Sequence, residues 1–353
     1  MPTAAIVSFR LGGTDGVSVV AESWKQALED LGCVVTTVAG AGNADQIIPG
    51  LAWPIAKDNT SHGDTASLLE DSLDDIDLVI VENICSLPLN AEASEIVAKS
   101  LKGRPAVMHH HDLPWQRQRF AHIESMPARD DAWRHVTINE LSRRQLSQRG
   151  IQAQTIFNGF YFDQPLGNRD ATRAALGIEP NERVVLHPVR AIERKGIPSA
   201  LLLSEELGAT YWLTGPAEEG YGPTLDELIA GARCRVIHMG LSANMADAYA
   251  AADVVAFPST WEGFGNPLIE SAIHRRPLVV GNYPVANEVR SLGFKWFSQK
   301  DVPGIDRFLN SVPSAEVDSF HEHNFSLAKK HFSYNRLRRD LGDLLSSMGF
   351  TTT

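Results

Sequence analysis

The chain is poor in cysteine: Cys33, Cys85 and Cys234 are its three, an odd number with no Cys-x-x-Cys spacing. That excludes a disulfide scaffold and gives no support for a structural zinc, and it fits a reducing compartment in which the thiols act as small core residues. Long hydrophobic runs are also missing. No uncharged apolar stretch approaches the roughly 20 residues that span a bilayer. The first residues, Met1 to Phe9, carry neither a basic region nor a long apolar segment, so the expectation is a cytoplasmic chain with no stable membrane association. Positive charge is in deficit, with 32 Lys and Arg against 43 Asp and Glu and a formal net charge of -11. Such a field disfavours non-specific attraction to nucleic acid or anionic lipid, and no nucleic-acid partner is expected. A dinucleotide fingerprint is absent as well, because Gly12, Gly13 and Gly16 do not give Gly-x-Gly-x-x-Gly, which discards a dehydrogenase. No short-period repeat or low-complexity tract interrupts the 353 residues apart from the terminal Thr351 to Thr353.

What is present reads as an ordinary globular protein, 43% hydrophobic and 21% charged, about two domains long. A short apolar run, Ala4 to Phe9, meets a Gly-rich turn, a helix-period segment from Val17 to Leu31 and a second apolar run, Val34 to Val38, which together make a βαβ unit. Further strands are predicted at Leu78 to Val81, Ala106 to Met108, His135 to Ile138 and Ala153 to Phe157, with helices at Ala91 to Leu101 and Glu140 to Gln148. After a polar stretch from Asn158 to Asp170 the alternation restarts, with strands at Val184 to His187, Tyr211 to Thr214, Arg235 to His238, Val254 to Phe257 and Leu278 to Val280, and helices at Ala243 to Ala251 and Pro267 to His274. Two doubly wound α/β domains with parallel sheets are therefore expected, 1–165 and 166–334, each offering loops at the carboxyl ends of its strands.

The most informative segment is Pro258-Ser259-Thr260-Trp261-Glu262-Gly263-Phe264-Gly265-Asn266-Pro267-Leu268-Ile269-Glu270. It leaves a strand, bends through two glycines and enters a helix with Pro in its first turn, where backbone N–H groups can receive an anion or a hydroxyl. With Gly12-Gly13, Arg190, Lys195-Gly196, Leu213-Thr214-Gly215, Tyr249 to Val254, Pro277 to Val280, Glu288-Val289 and Phe332-Ser333-Tyr334, this segment resembles the family-4 type of retaining glycosyltransferases, the glycosyl transferases group 1. The resemblance implies the GT-B fold, in which two Rossmann-like domains face a cleft and a C-terminal helix, here 335–350, crosses back to the amino domain. It implies a hexosyltransferase that takes its sugar from a nucleotide-diphosphate donor, GDP-mannose or UDP-glucose, without metal or other cofactor, and passes it to a soluble carbohydrate or small hydroxylated acceptor. Two alternatives stay open: a nucleotide-sugar epimerase or hydrolase of the same fold, and a non-catalytic donor-binding module.

Residue by residue, the resemblance gives Arg190 and Lys195 the departing diphosphate, Glu262 the donor sugar and Glu270 the ribose hydroxyls. The amides of Phe264, Gly265 and Asn266 lie near the donor, His238, Met239 and Gly240 read the base, and Gly215 belongs to the donor site. Gly12 and Gly13, with Thr14, resemble the amino-domain loop that approaches the diphosphate or the acceptor.

His109-His110-His111-Asp112 follows an apolar run and falls at a strand's carboxyl end. On an extended chain His109 and His111 share one face and His110 the other. A metal site, polar packing and an active-site role compete here. The resemblance favours a histidine that reaches the donor sugar, with His111 first and His110 second. His110, Asp112, Trp115 and Arg117 are the acceptor candidates. Asp75-Ile76-Asp77 reads as a strand-entry turn rather than a metal-binding string. His274-Arg275-Arg276-Pro277 departs from the resemblance, since the related proteins place a small residue and glycine at that turn. Glu316 to Met348 is predicted helical, with Leu337, Leu341, Leu344 and Leu345 on one apolar face.

Overall fold

The computed structural model describes residues 1–13, 15–53, 64–123, 127–238 and 244–351. They form two compact units, Met1–Phe160 with Phe332–Thr353, and Tyr161–His331.

The amino unit runs β1 (Thr3–Ser8), α1 (Gly16–Asp30), β2 (Val34–Ala39), β3 (Gln46–Ile47), α2 (Thr65–Leu73), β4 (Leu78–Glu82), α3 (Ala91–Ser100), β5 (Ala106–His110), β6 (Trp133–Thr137), α4 (Glu140–Gln148) and β7 (Ala153–Thr155). Its parallel sheet has the order β3-β2-β1-β4-β5-β6-β7. The order reverses between β1 and β4, which is where doubly wound sheets open a crevice beyond their strand ends. β4 and β5 are buried along their whole length, as the near-continuous apolar runs of a doubly covered sheet require. The Asp75–Asp77 turn is structural: Asp77 Oδ2 accepts from Thr3 N at 2.8 Å and Thr3 Oγ1 at 3.0 Å, tying the entry of β4 to β1.

The carboxyl unit runs α5 (Arg169–Ala175), β8 (Val184–His187), α6 (Ile197–Glu206), β9 (Thr210–Leu213), α7 (Gly222–Gly231), β10 (Val236–His238), α8 (Met245–Ala251), β11 (Val254–Phe257), α9 (Pro267–Ile273), β12 (Leu278–Val280), α10 (Pro284–Arg290), β13 (Phe297–Ser298), α11 (Val302–Asn310) and α12 (Ser314–Phe332). Its sheet, β10-β9-β8-β11-β12-β13, reverses between β8 and β11. The first unit ends at Phe160 rather than 165. Only the end of the polar stretch that reads as a linker, from Arg169, enters α5, where Asn168 Oδ1 caps the helix by accepting from Ala171 N at 3.0 Å. Arg169 and Arg173 then bond the carbonyls that close α8.

The chain re-enters the amino unit where Phe160 N donates to Phe332 O and Tyr334 N to Phe160 O, both at 2.8 Å. The last helix, α13 (Tyr334–Ser347), starts at Ser333, whose side chain accepts from Arg336 N. Leu337, Leu341, Leu344 and Leu345 join Trp24, Leu28 and Leu31 in one core cluster, so the apolar face read from the sequence packs on α1. Tyr334 Oη donates to Asp30 Oδ2 at 2.8 Å. At the His274–Pro277 turn, Arg275 takes the left-handed position, φ 51°, that glycine adopts without strain. Its guanidinium lies 4.1 Å over Phe325 and pairs with Glu322 at 3.3 Å.

Candidate active site

In the carboxyl unit, the loops that leave β8 and β11 meet beside the reversal in strand order. Gly196 has φ 71°, and a Cβ there would come within 2.6 Å of Pro258 O, so only glycine lets the two loops close up. Thr260 N donates to Arg194 O at 2.9 Å and fixes their register. Across this seam Glu262 is 6% exposed. Lys195 Nζ stands 2.6 Å from its Oε1 and Arg194 2.6 Å from its Oε2, while Arg194 also donates to Trp261 O at 2.9 Å. Burial works against ionising Glu262, but the charges of Lys195 and Arg194 prevail and hold its carboxyl below the usual range. Burial depresses Lys195 despite the opposing pull of Glu262. Lys195 and Glu262, two sequence candidates, are thus brought into contact. Arg194, in the same loop, was not singled out in the sequence, because a cation beside Lys195 reads as solvated surface. Arg190 bonds Glu218 Oε2 at 2.5 Å, and its charge adds to the depression of Lys195.

The Gly-Phe-Gly turn is built around a tyrosine. Phe264 is buried and its carbonyl accepts from Tyr283 Oη at 3.2 Å. Gly265 has φ 98°, and a Cβ would lie 2.5 Å from the same Oη. Asn266 leads into α9 without a side-chain cap bond. Glu270, one turn into α9, accepts from Tyr249 Oη at 2.7 Å, and burial raises its carboxyl pKa while the Tyr249 bond offsets part of the rise. Tyr249 stacks on His274 with ring centroids 4.8 Å apart, so the unusual turn props the partner of Glu270. Gly215 N donates to Val189 O at 3.1 Å, and its carbonyl bonds His238 Nε2 at 3.0 Å. His238 is exposed, whereas Met239 and Gly240 lie outside the described residues, as does Thr14.

In the amino unit, the histidines alternate as the strand dictates. His111 Nε2 lies 2.6 Å from Glu82 Oε2, and His109 Nδ1 lies 2.9 Å from the same oxygen. Glu82 and His109 are fully buried and His111 is 5% exposed. Burial opposes the charge on Glu82, yet His109 and then His111 bring its pKa down to about 2. Ligand atoms of these three residues lie within 4.8 Å of one another, close enough to suggest a cation. Two ligands of a tetrahedral zinc, each ~2 Å from the ion, stand roughly 3.3 Å apart. The shorter contacts here are direct hydrogen bonds.

His110 is a correction. It is fully buried, with Nδ1 2.6 Å from Ser86 Oγ and Nε2 2.9 Å from His135 Nδ1, so neither nitrogen is presented to an acceptor. Trp115 is half-buried: its indole donates to Gln145 Oε1 at 2.9 Å, packs on the Leu113, Leu146 and Ile151 cluster and carries the Arg149 guanidinium 3.7 Å over its ring, which ties it to α4. Asp112 and Arg117 pair at 2.9 Å and remain partly exposed. Gly12, φ 75°, packs where a Cβ would strike Asn43 at 2.6 Å, and Gly13 is exposed beside Asp15, the N-cap of α1. Glu82 itself was not among the sequence candidates. Its signal is the parallel register that sets it opposite His109.

Residues 196–299 match the family model described as Glycosyl transferases group 1. Over 97% of its length the chain is 28% identical to mannosylglucosylglycerate synthase of Thermotoga maritima, covering 98% of that protein, and it is 25% identical to the Petrotoga mobilis enzyme of the same name over 96% of each. Among solved structures, Anabaena HepE in complex with UDP and glucose superposes with a TM-score of 0.76 at 19% identity, over 98% of this chain and 99% of that one. Sucrose-phosphate synthase of Thermosynechococcus elongatus does so with a TM-score of 0.76 at 14% identity, over 99% of each. Among the described residues no helix is long and apolar enough to cross a membrane. The two parallel-sheet units and a likeness that runs from end to end give this chain the GT-B fold and make it a glycosyltransferase, with residues 196–299 similar to the group 1 type.

Proposed function

We propose that the chain is a retaining hexosyltransferase that moves mannose from GDP-mannose, or in second place glucose from UDP-glucose, to a hydroxyl of a small soluble acceptor, and that the acceptor is glucosylglycerate. The names of the two full-length relatives support a mannosyl donor and that acceptor. The observation that carries the chemistry is the buried Glu262 with its Lys195 and Arg194 partners. A leaving nucleoside diphosphate concentrates negative charge, and without a metal it needs fixed cations, which Lys195 and Arg190 supply. Lys195 has three N–H donors, so it can hold Glu262 and a phosphate oxygen together. An ionised Glu262 is complementary to the positive charge that grows on the sugar as the bond to the diphosphate breaks. Glu270, with one carboxylate oxygen bonded by Tyr249, offers the other to the ribose. In the amino unit, His111 orients a hydroxyl of the sugar, and Asp112 and Arg117 face the acceptor. No side chain is assigned as a covalent nucleophile; the departing diphosphate takes the acceptor's proton on the face it leaves from.

Incubation of the protein with GDP-mannose, UDP-glucose and ADP-glucose, each with and without glucosylglycerate and without added metal, tests this reading. Product is expected from GDP-mannose in the presence of acceptor. Epimerised or hydrolysed donor formed at the same rate without acceptor favours the epimerase or hydrolase. Binding without turnover of any donor favours a donor-binding module.

A further inference from the structure

The residues that close β4 grip the end of β5. Asn83, held at φ 63°, accepts from both His111 N and Asp112 N at 3.2 Å through its Oδ1. Glu82 takes the rings of His109 and His111. An ionised carboxylate can only accept, so each ring nitrogen that touches it must carry a proton. In a neutral ring that is the Nδ1–H tautomer for His109 and the Nε2–H tautomer for His111. His109 is spent structurally: its ring stacks on Trp24 with centroids 4.1 Å apart, and its Nε2 is buried without a partner. His111 Nδ1 is not among the sealed, unpartnered nitrogens, and His111 is the ring of the pair that keeps some exposure.

We propose that Glu82 is a positioning residue for His111, fixing the tautomer in which Nε2 donates to the carboxylate and Nδ1 is the bare nitrogen that accepts the hydrogen of a substrate hydroxyl. This rests on the reading of His111 as the histidine at the sugar. The second ring has a function in the arrangement: with His109 on one flank, Glu82 cannot rotate away from His111 without abandoning a buried N–H donor, which costs more than the bond is worth in water. The buried negative charge also makes Nδ1 a stronger acceptor than an unassisted imidazole nitrogen.

Glu82→Gln separates this from a packing role. A carboxamide removes the negative charge and turns one of the two acceptor oxygens that face the rings into a donor, so the Nε2–H form of His111 loses the preference that the carboxylate gives it. Long-range proton–nitrogen NMR on histidine-labelled protein, with His111→Ala to assign the ring, is expected to show a single Nε2–H form for His111 in the wild type and a mixture in Glu82→Gln. Transfer from GDP-mannose to glucosylglycerate is expected to lose about tenfold or more in kcat in that variant, with GDP affinity and cooperative melting retained, and Glu82→Asp to recover part of the loss. A wild-type His111 in the Nδ1–H form, or a Glu82→Gln protein with unchanged tautomer and kcat within about twofold of wild type, overturns the proposal. So does a loss of activity accompanied by loss of GDP binding or of cooperative unfolding, which assigns Glu82 to folding. Wild-type turnover in His111→Ala defeats the underlying reading of His111 instead, and the tautomer, read without turnover, tells the two failures apart.

Discussion

Glu82 in the amino unit and Glu262 in the carboxyl unit both belong to the strand beside the reversal of their sheet: Glu82 ends β4, next to β1, and Glu262 lies in the loop after β11, next to β8. Both are buried and both are held ionised, but by different means. Glu82 is held by two imidazoles whose protons are shared locally, whereas Glu262 is held by an ammonium and a guanidinium. Rings that donate to a carboxylate fix direction, which suits the orientation of a hydroxyl. Permanent cations fix charge, which suits a diphosphate on one side and an electron-poor sugar on the other. On the proposed function, the end of β4 thus serves positioning and the loop after β11 serves electrostatics.

The largest way to break the comparison is to remove the amino unit's last element. Truncation after Lys330 exposes the surface covered by Leu337, Leu341, Leu344 and Leu345. At ~1.5–3 kcal/mol per buried leucine this is on the order of 6 kcal/mol or more, comparable to a whole domain's stability. The truncated protein is expected to be insoluble or far less stable in denaturant titrations. A soluble, equally stable and active truncate refutes the packing account of α13.

Next in size is the cationic side. Lys195→Ala and Arg190→Ala are each expected to lower turnover more than ~100-fold at saturating donor, about 3 kcal/mol of transition-state stabilisation, with the fold intact by circular dichroism. Near-wild-type kcat in either variant removes that residue from the diphosphate. A smaller effect divides the two glutamates. Glu270→Ala is expected to weaken nucleoside diphosphate binding by about tenfold, ~1.4 kcal/mol, while Glu262→Ala spares it and impairs transfer. Calorimetry that finds both variants binding like wild type takes the ribose away from Glu270.

The smallest effect is with pH. Burial lowers the pKa of His135 to about 4, with the Arg129 charge adding to the shift, and that of His274 to about 4, with Arg276 adding. A histidine whose folded pKa lies below its free value of about 6.5 stabilises the fold fully above that value and loses its contribution as pH falls through 6.5 toward 4. By pH 5.5 each costs on the order of 1 kcal/mol. Glu82, lowered to about 2, keeps its contribution above the free carboxylate value and loses it only from about pH 4.3 downward. Thermal melts are therefore expected to drop in two stages on acidification. A single stage beginning below pH 4 contradicts the buried neutral histidines.

The strands were legible because doubly buried parallel strands are continuous apolar runs, and α13 because its leucines recur at helical spacing. Glu262 and Glu270 were legible because loop and helix place them within one continuous segment. Glu82 was not, since it closes the run Leu-Val-Ile-Val as any polar residue would, and its partners lie 27 and 29 positions away across a neighbouring strand whose adjacency only the sheet order reveals. The surroundings of Trp115 were not legible for the same reason: Gln145 and Arg149, on and just beyond α4, lie about 30 positions away in sequence. The start of the carboxyl unit was blurred because α5 is short and its stability comes from the arginine contacts to α8 rather than from an apolar stripe.

The most direct test of the account is the stereochemistry of transfer. Proton NMR of the reaction of GDP-mannose with glucosylglycerate, followed from its first minutes with EDTA present, is expected to show an α-linked mannoside that accumulates only with acceptor and with the anomeric configuration of the donor. A β-linked product, activity abolished by EDTA and restored by a divalent ion, or donor consumed equally without acceptor contradicts it.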